Sequence, residues 1–158
     1  MRKKKKAEFA IEFLDLVLEY DGAHQEALVA QASFLWADGR KPRAIELLES
    51  ARRGAPENLA ALRLLANLYT EAGRHNEGLA MDNLIVRLAP EDATAHYNLA
   101  CSLSILERRD EAIAQLERAI SLGYDDAAHM RKDPDLGNLH GDARFEVLIY
   151  RLKNAQGD

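Results

Sequence analysis

One cysteine, Cys101, stands among 158 residues, so no internal disulfide can form and nothing argues for an oxidising compartment. A reduced, inert thiol in the cytoplasm is the expectation. Aromatic residues are only 6% of the chain, with nine glycines and four prolines, too few aromatics and turn formers for a sandwich or barrel. Long apolar runs are also missing. The stretch after Lys6 is interrupted by Glu8, Glu12, Asp15 and Glu19, which excludes a secretory leader and a membrane span. No GxxxxGK[ST], GxGxxG or GxSxG is found, which removes the ordinary phosphate cradles and the nucleophile elbow. The histidines, His24, His75, His96, His129 and His140, form no i, i+4 pair and have no CxxC companion, so no metal and no cofactor is expected. Charge is unevenly spread. The net charge is -5, yet residues 1–6 carry +5, leaving an acidic body that does not suit nucleic acid.

What is present is the vocabulary of helices. Hydrophobic residues reach 47% and charged residues 30%, the proportions of a folded globular chain, and Ala, Leu, Glu and Arg dominate. At this length a single domain spanning 1–158 buries a sizeable core without a partner. The fold class read from this is all-α.

A 34-residue period organises the middle of the chain. Three ungapped windows, Gln25 to Asn58, Leu59 to Asp92 and Ala93 to Asp126, place Ala32, Ala66 and Ala100 at the eighth position, and Ala44, Gly78 and Ala112 at the twentieth. Large apolar residues hold the eleventh (Leu35, Tyr69, Leu103) and the twenty-first (Ile45, Leu79, Ile113). Small residues at two fixed points let two antiparallel helices approach closely, and the larger ones fill the seam. Each such hairpin leaves an apolar face open, so hairpins must stack. Breaks are expected at Gly22, Gly39, Pro56, Gly73, Pro90, the Glu107 to Arg109 turn and Asp133 to Gly141.

These windows resemble the tetratricopeptide repeat family over residues 25–126, most closely in His96-Tyr97-Asn98-Leu99-Ala100, Asp110-Glu111-Ala112-Ile113 and Ala119-Ile120. Two departures stand out: Glu107 replaces the usual turn glycine, and Asp82 with Ile85 replaces a bulky residue followed by alanine, which implies repacking of the second helix of the middle repeat. The resemblance implies a right-handed solenoid of about three helical hairpins. Residues 1–24 read as a basic tail and a half-repeat helix. Residues 127–158, with Asp133-Pro134-Asp135-Leu136 and Asp142-Ala143-Arg144-Phe145, resemble the terminal segment that closes bacterial members and form a cap. Lys3 to Lys6 are expected to be a solvated tail, the alternative being an electrostatic tether to membrane or RNA.

Function then follows from surface. In the family the first helix of each repeat lines a groove, which carried over residue by residue points to Trp36, Arg63, Asn67, Tyr97 and Asn98 as a binding set. Arg63, Asn67, Asn98 and Lys132 also fall at positions that some members use to clamp a C-terminal carboxylate, although Ala128 stands where those members have a further basic residue. The expected activity is noncatalytic: an adaptor holding a protein or peptide segment. The alternatives are a regulatory or assembly module of an enzyme or secretion complex and a co-chaperone-like carboxylate binder. His96 is expected to pack structurally, and Asp125 and Asp126 to begin a helix rather than a calcium loop.

The first helix has two apolar sides. Ala10, Leu14, Val17 and Leu18 suit packing on the following repeat, while Phe9, Phe13, Leu16 and Tyr20 form a second stripe at i, i+4, i+7 and i+11. Something is expected to cover that stripe: a twofold copy of the same helix in a homodimer, a refolded neighbouring segment, or a helix of another protein or an upstream domain.

Overall fold

The computed structural model describes residues 2–22 and 24–155, with no strand among them. Met1, Ala23 and residues 156–158 lie outside the described residues, as do the side chains of residues 2–5 and 7. Nine α-helices are found there: α1 (Arg2–Tyr20), α2 (Gln25–Ala37), α3 (Lys41–Gly54), α4 (Leu59–Glu71), α5 (His75–Leu88), α6 (Ala93–Ile105), α7 (Arg109–Ser121), α8 (Ala127–Lys132) and α9 (Ala143–Ala155). A 3₁₀ segment, Pro134–Leu139, lies between α8 and α9. The expected all-α arrangement of helical hairpins is the fold found.

Helix starts obey the period. First helices begin at residues 25, 59, 93 and 127, and second helices at 41, 75, 109 and 143. Each first helix is capped by the residue before it. His24, Asn58, Asp92 and Asp126 accept the backbone N–H three residues on, from Ala27, Ala61, Ala95 and His129, at 3.2, 3.2, 3.1 and 2.8 Å. These bonds satisfy N–H groups that a helix start would otherwise leave unpaired. Asp126 therefore begins a helix, as expected.

The hairpin turns repeat too. Gly39, Gly73, Glu107 and Gly141 lie 34 apart with φ of 80°, 72°, 60° and 86°. Glu107 thus adopts the left-handed conformation of the glycine it replaces, at a cost of about 1 to 2 kcal/mol for an L side chain. Glu107→Gly is expected to raise stability by about 1 kcal/mol, read as an upward shift of the urea midpoint.

Gly141 extends the period beyond the three expected copies. Residues 127–155 form a fourth hairpin in register, whose first helix is interrupted: Pro134, lacking an N–H, ends α8 after six residues, and the chain continues as 3₁₀ turns. Pro56 and Pro90 act more mildly, since α3 and α5 already end at Gly54 and Leu88. Residues 2–6 differ from expectation. They are the first turns of α1 and not a tail, consistent with lysine being a strong helix former.

The helices group into two compact units, residues 1–74 and 75–158. In the first, α2 packs on α1, α3 and α4, and α3 on α4. Ala32 and Ala44, the small residues of that hairpin, are fully buried. In the second unit α6 packs on α5, α7 and the 3₁₀ segment, with Ala100 and Ala112 fully buried. Here α9 closes the core through Phe145, Leu148, Ile149 and Leu152, against a set that includes Met130, Leu136 and Leu139.

The irregular middle repeat keeps a regular second helix. Asp82 is buried in α5 and accepts the Ser102 hydroxyl of α6 at 2.6 Å, so a polar pair fills a seam that is elsewhere apolar. His96 is buried as well, bridging the Pro90 carbonyl (2.9 Å) and the Gln115 side chain (2.7 Å). Its role there is structural.

Candidate functional site

In the first unit, α2 and α4 are neighbours, and their residues at the groove positions remain at the surface. Ser33, Ala37, Asn67 and Glu71 are exposed, while Val29, Ala30, Trp36, Arg63 and Leu64 are half-buried. Trp36 is held rather than loose: its indole N–H donates to Glu71 Oε2 at 3.0 Å, and Lys41 Nζ lies 2.7 Å from the same oxygen. The Lys41 ammonium first, then the indole N–H, keep the Glu71 carboxyl below the usual carboxylate range. A half-buried aromatic ring, a guanidinium and an exposed amide thus share one helical face.

The second unit treats the same positions differently. Tyr97, Cys101 and Ser104, on the matching face of α6, are all buried. The Pro134–Leu139 segment packs against that helix. The Tyr97 hydroxyl donates to Asp133 Oδ2 at 2.7 Å, the Cys101 thiol sits 3.7 Å from the same oxygen, and the Asn138 amide donates to the Ser104 carbonyl at 2.8 Å. Tyr97 also stacks on Tyr124, with ring centroids 4.4 Å apart. Burial first, then the Asp133 carboxylate, push both the Tyr97 hydroxyl and the Cys101 thiol well above their ordinary values. Both stay protonated at neutral pH, and Cys101 offers no thiolate nucleophile.

The expected binding set therefore divides. Trp36 on α2 and Arg63 and Asn67 on α4 all lie in the first unit, and all three reach the surface. Tyr97, 4% exposed, is covered by Asp133 and the 3₁₀ segment that follows it and is no open anchor, a correction whose cause is the Asp133 hydrogen bond. Asn98 is half-buried on α6 and Lys132 is exposed at the end of α8. Neither unit contains all four proposed carboxylate contacts, because Arg63 and Asn67 belong to the first, Asn98 and Lys132 to the second. Two contributors escaped the sequence reading. Lys41 fixes Trp36 through Glu71, and Asp133 occupies α6; the one available signal was an acidic residue at a groove position of the second window and another at the head of the cap.

A second surface feature lies on α1. Phe9, Phe13, Leu16 and Tyr20 are 72, 59, 63 and 96% exposed. The opposite side, which includes Ile11, Leu14 and Leu18, is half-buried in the packing on α2. Among the described residues no group of histidine, cysteine, aspartate and glutamate is placed to hold a metal ion, and no helix is long and apolar enough to cross a membrane.

Two models described as tetratricopeptide repeat match residues 35–100 and 93–123, together more than half of the chain. The chain belongs to the tetratricopeptide repeat family. The tetratricopeptide windows read from the sequence coincide with the helix starts, and both matches fall within the periodic region. A chloroplastic protein of Arabidopsis thaliana is 32% identical over 84 residues, 51% of this chain but 25% of that protein. Rhomboid protease GluP of Bacillus subtilis (strain 168) is 31% identical over 93 residues, 58% of this chain and 18% of that protein. Each match thus spans a quarter or less of the relative's length. Two solved structures share the fold. MamA superposes with a TM-score of 0.80 at 20% identity, covering 99% of this chain and 90% of that one. YrrB, described as a TPR protein with an unusual peptide-binding site, gives 0.78 at 18% identity, covering 99% and 81%.

Proposed function

We propose that this tetratricopeptide repeat chain is a noncatalytic adaptor that holds an acidic or carboxylate-ended protein segment on the α2 and α4 face of its first unit. The observation that carries the reading is the contrast between equivalent faces. On α6 the groove positions are filled by the chain's own Asp133 and Asn138, an acidic residue followed closely by an amide; on α2 and α4 the same positions stay at the surface. A face that accepts an acidic segment in one repeat is a template for an external acidic segment in another. Trp36 is restrained by Glu71, so little side-chain freedom is lost on binding, and Lys41 already balances the Glu71 charge. Arg63 supplies the charge-assisted donor and Asn67 an amide. That a relative in fold, YrrB, is described as having a peptide-binding site supports the choice of ligand. The cytoplasm is the compartment in which we place it. The α1 stripe is a separate contact surface for self-association.

An acidic peptide with a free C-terminal carboxylate is expected to bind with a dissociation constant in the micromolar range, followed by the fluorescence of the single tryptophan. Arg63→Glu is expected to weaken it by about 1 to 3 kcal/mol, and salt to weaken it further. Unchanged affinity in Arg63→Glu removes this face as the site.

A further inference from the structure

The buried residues of α4 leave Arg63, Asn67 and Glu71, at i, i+4 and i+8, on the side of the helix that reaches the surface. At 1.5 Å per residue this stripe runs from cation through amide to anion over about 12 Å. The anion is particular to this helix. At the thirteenth position of the window, where α4 has Glu71, α2 has Ala37 and α6 has Ile105. Glu71 also ties α4 to its neighbours: Oε2 accepts the Trp36 indole N–H at 3.0 Å and lies 2.7 Å from Lys41 Nζ, while no donor to Oε1 is found among the described residues. The end of the stripe away from Arg63 therefore carries a half-buried aromatic ring and a carboxylate that is 40% exposed, its charge balanced by Lys41.

We infer that Glu71 is the specificity-determining residue of this face, admitting an uncharged apolar side chain beside Trp36 and refusing an acidic one. The inference rests on the reading that the face holds a carboxylate-ended segment, and adds what the rest of that segment must be. With the carboxylate at Arg63, an extended chain at about 3.3 Å per residue brings the fourth or fifth residue from its C-terminus to Glu71. An apolar side chain there gains the indole as a contact and leaves the Glu71 to Lys41 pair intact. An acidic one sets a second anion beside Glu71, and reaches Lys41 only by taking it from the carboxylate that already holds it. Because the pair is partly exposed, the discrimination is modest, about fivefold.

Two short peptides with a free C-terminal carboxylate, differing only in leucine or aspartate at the fourth and fifth residues from that end, are titrated against the full chain by calorimetry. The leucine peptide is expected to bind about fivefold more tightly. Glu71→Gln, whose amide oxygen still accepts the Trp36 indole, leaves Lys41 to the ligand and reverses the preference. Lys41→Ala widens it. These opposite shifts in the ratio of affinities separate a choice of ligand from mere support of Trp36, whose loosening weakens both peptides alike in both variants. Equal affinities of the unsubstituted chain for the two peptides overturn the inference, and so does a ratio that Glu71→Gln leaves where it was. In either case the α2 and α4 face stands as the site if Arg63→Glu still weakens binding. If neither peptide binds, or Arg63→Glu affects neither, the face is not the site and the inference falls with it.

Discussion

Replacing Phe145 with alanine is expected to destabilise the second unit by about 3 to 5 kcal/mol, the cost of emptying a ring-sized space in a packed core. Phe145 is 1% exposed, begins the inward face of α9 and shares its core with the fully buried Met130, Leu136, Leu139 and Ile149. The His140 ring lies beside it at 5.7 Å. Those neighbours come from α8, the 3₁₀ segment and α9, so a collapse around the cavity would have to move all three. The 3₁₀ segment in turn carries Leu136 and Leu139 and holds the cap against α6. Loss of Phe145 is therefore expected to loosen the cover on Tyr97 and Cys101 as well. Urea unfolding measures the first effect, and the rate at which a thiol reagent modifies Cys101 measures the second. In Phe145→Ala the urea midpoint should fall and the modification rate rise, with smaller changes of both in Phe145→Leu.

A comparable loss is expected from the opposite change, adding volume at a small position. Ala112→Leu places three extra carbons where α7 meets α6, at a residue with no exposed surface and opposite Ala100, which also has none. Overpacking a full seam costs typically about 1 to 3 kcal/mol and more where the backbone must separate. Helix separation here would also strain the Ser102 to Asp82 hydrogen bond on the other side of α6. The same substitution two residues on, Ala114→Leu, falls on an exposed position of α7 and is expected to change stability by less than about 0.5 kcal/mol. Thermal melting of both variants separates a close-approach requirement from helix propensity, which slightly favours alanine over leucine at either site.

How much of this was legible in the sequence depends on whether the cause is local. The hairpin turns were legible because Gly39 and Gly73 need no more than a left-handed turn at their own positions, and the start at Asp126 because an acidic residue there caps the helix that immediately follows; Asn58 and Asp92 cap in the same way but were read only as window ends. Glu107 was visible as an anomaly, and its φ shows that stacking of the flanking helices outweighs the strain of one residue. The α1 stripe was legible from periodicity alone, since its spacing repeats every turn. The closure of the α6 face was not. It depends on Asp133 meeting Tyr97 across 36 residues, and on Pro134 turning a helix into a 3₁₀ segment that can lie against α6. Residues 2–6 were read as a solvated tail from their run of like charge, while lysine's helix propensity and the continuous helix beyond it place them in α1.

The claim that the α2 and α4 face holds the partner is tested most directly by amide and indole chemical shifts on titration with an acidic, carboxylate-ended peptide. The account predicts that shifts concentrate on Trp36, Arg63 and Asn67 and their neighbours on α2 and α4, while Tyr97 and Cys101 beneath the cap stay in place. Shifts that cluster on α3 or α7, with Trp36, Arg63 and Asn67 unmoved, would contradict it.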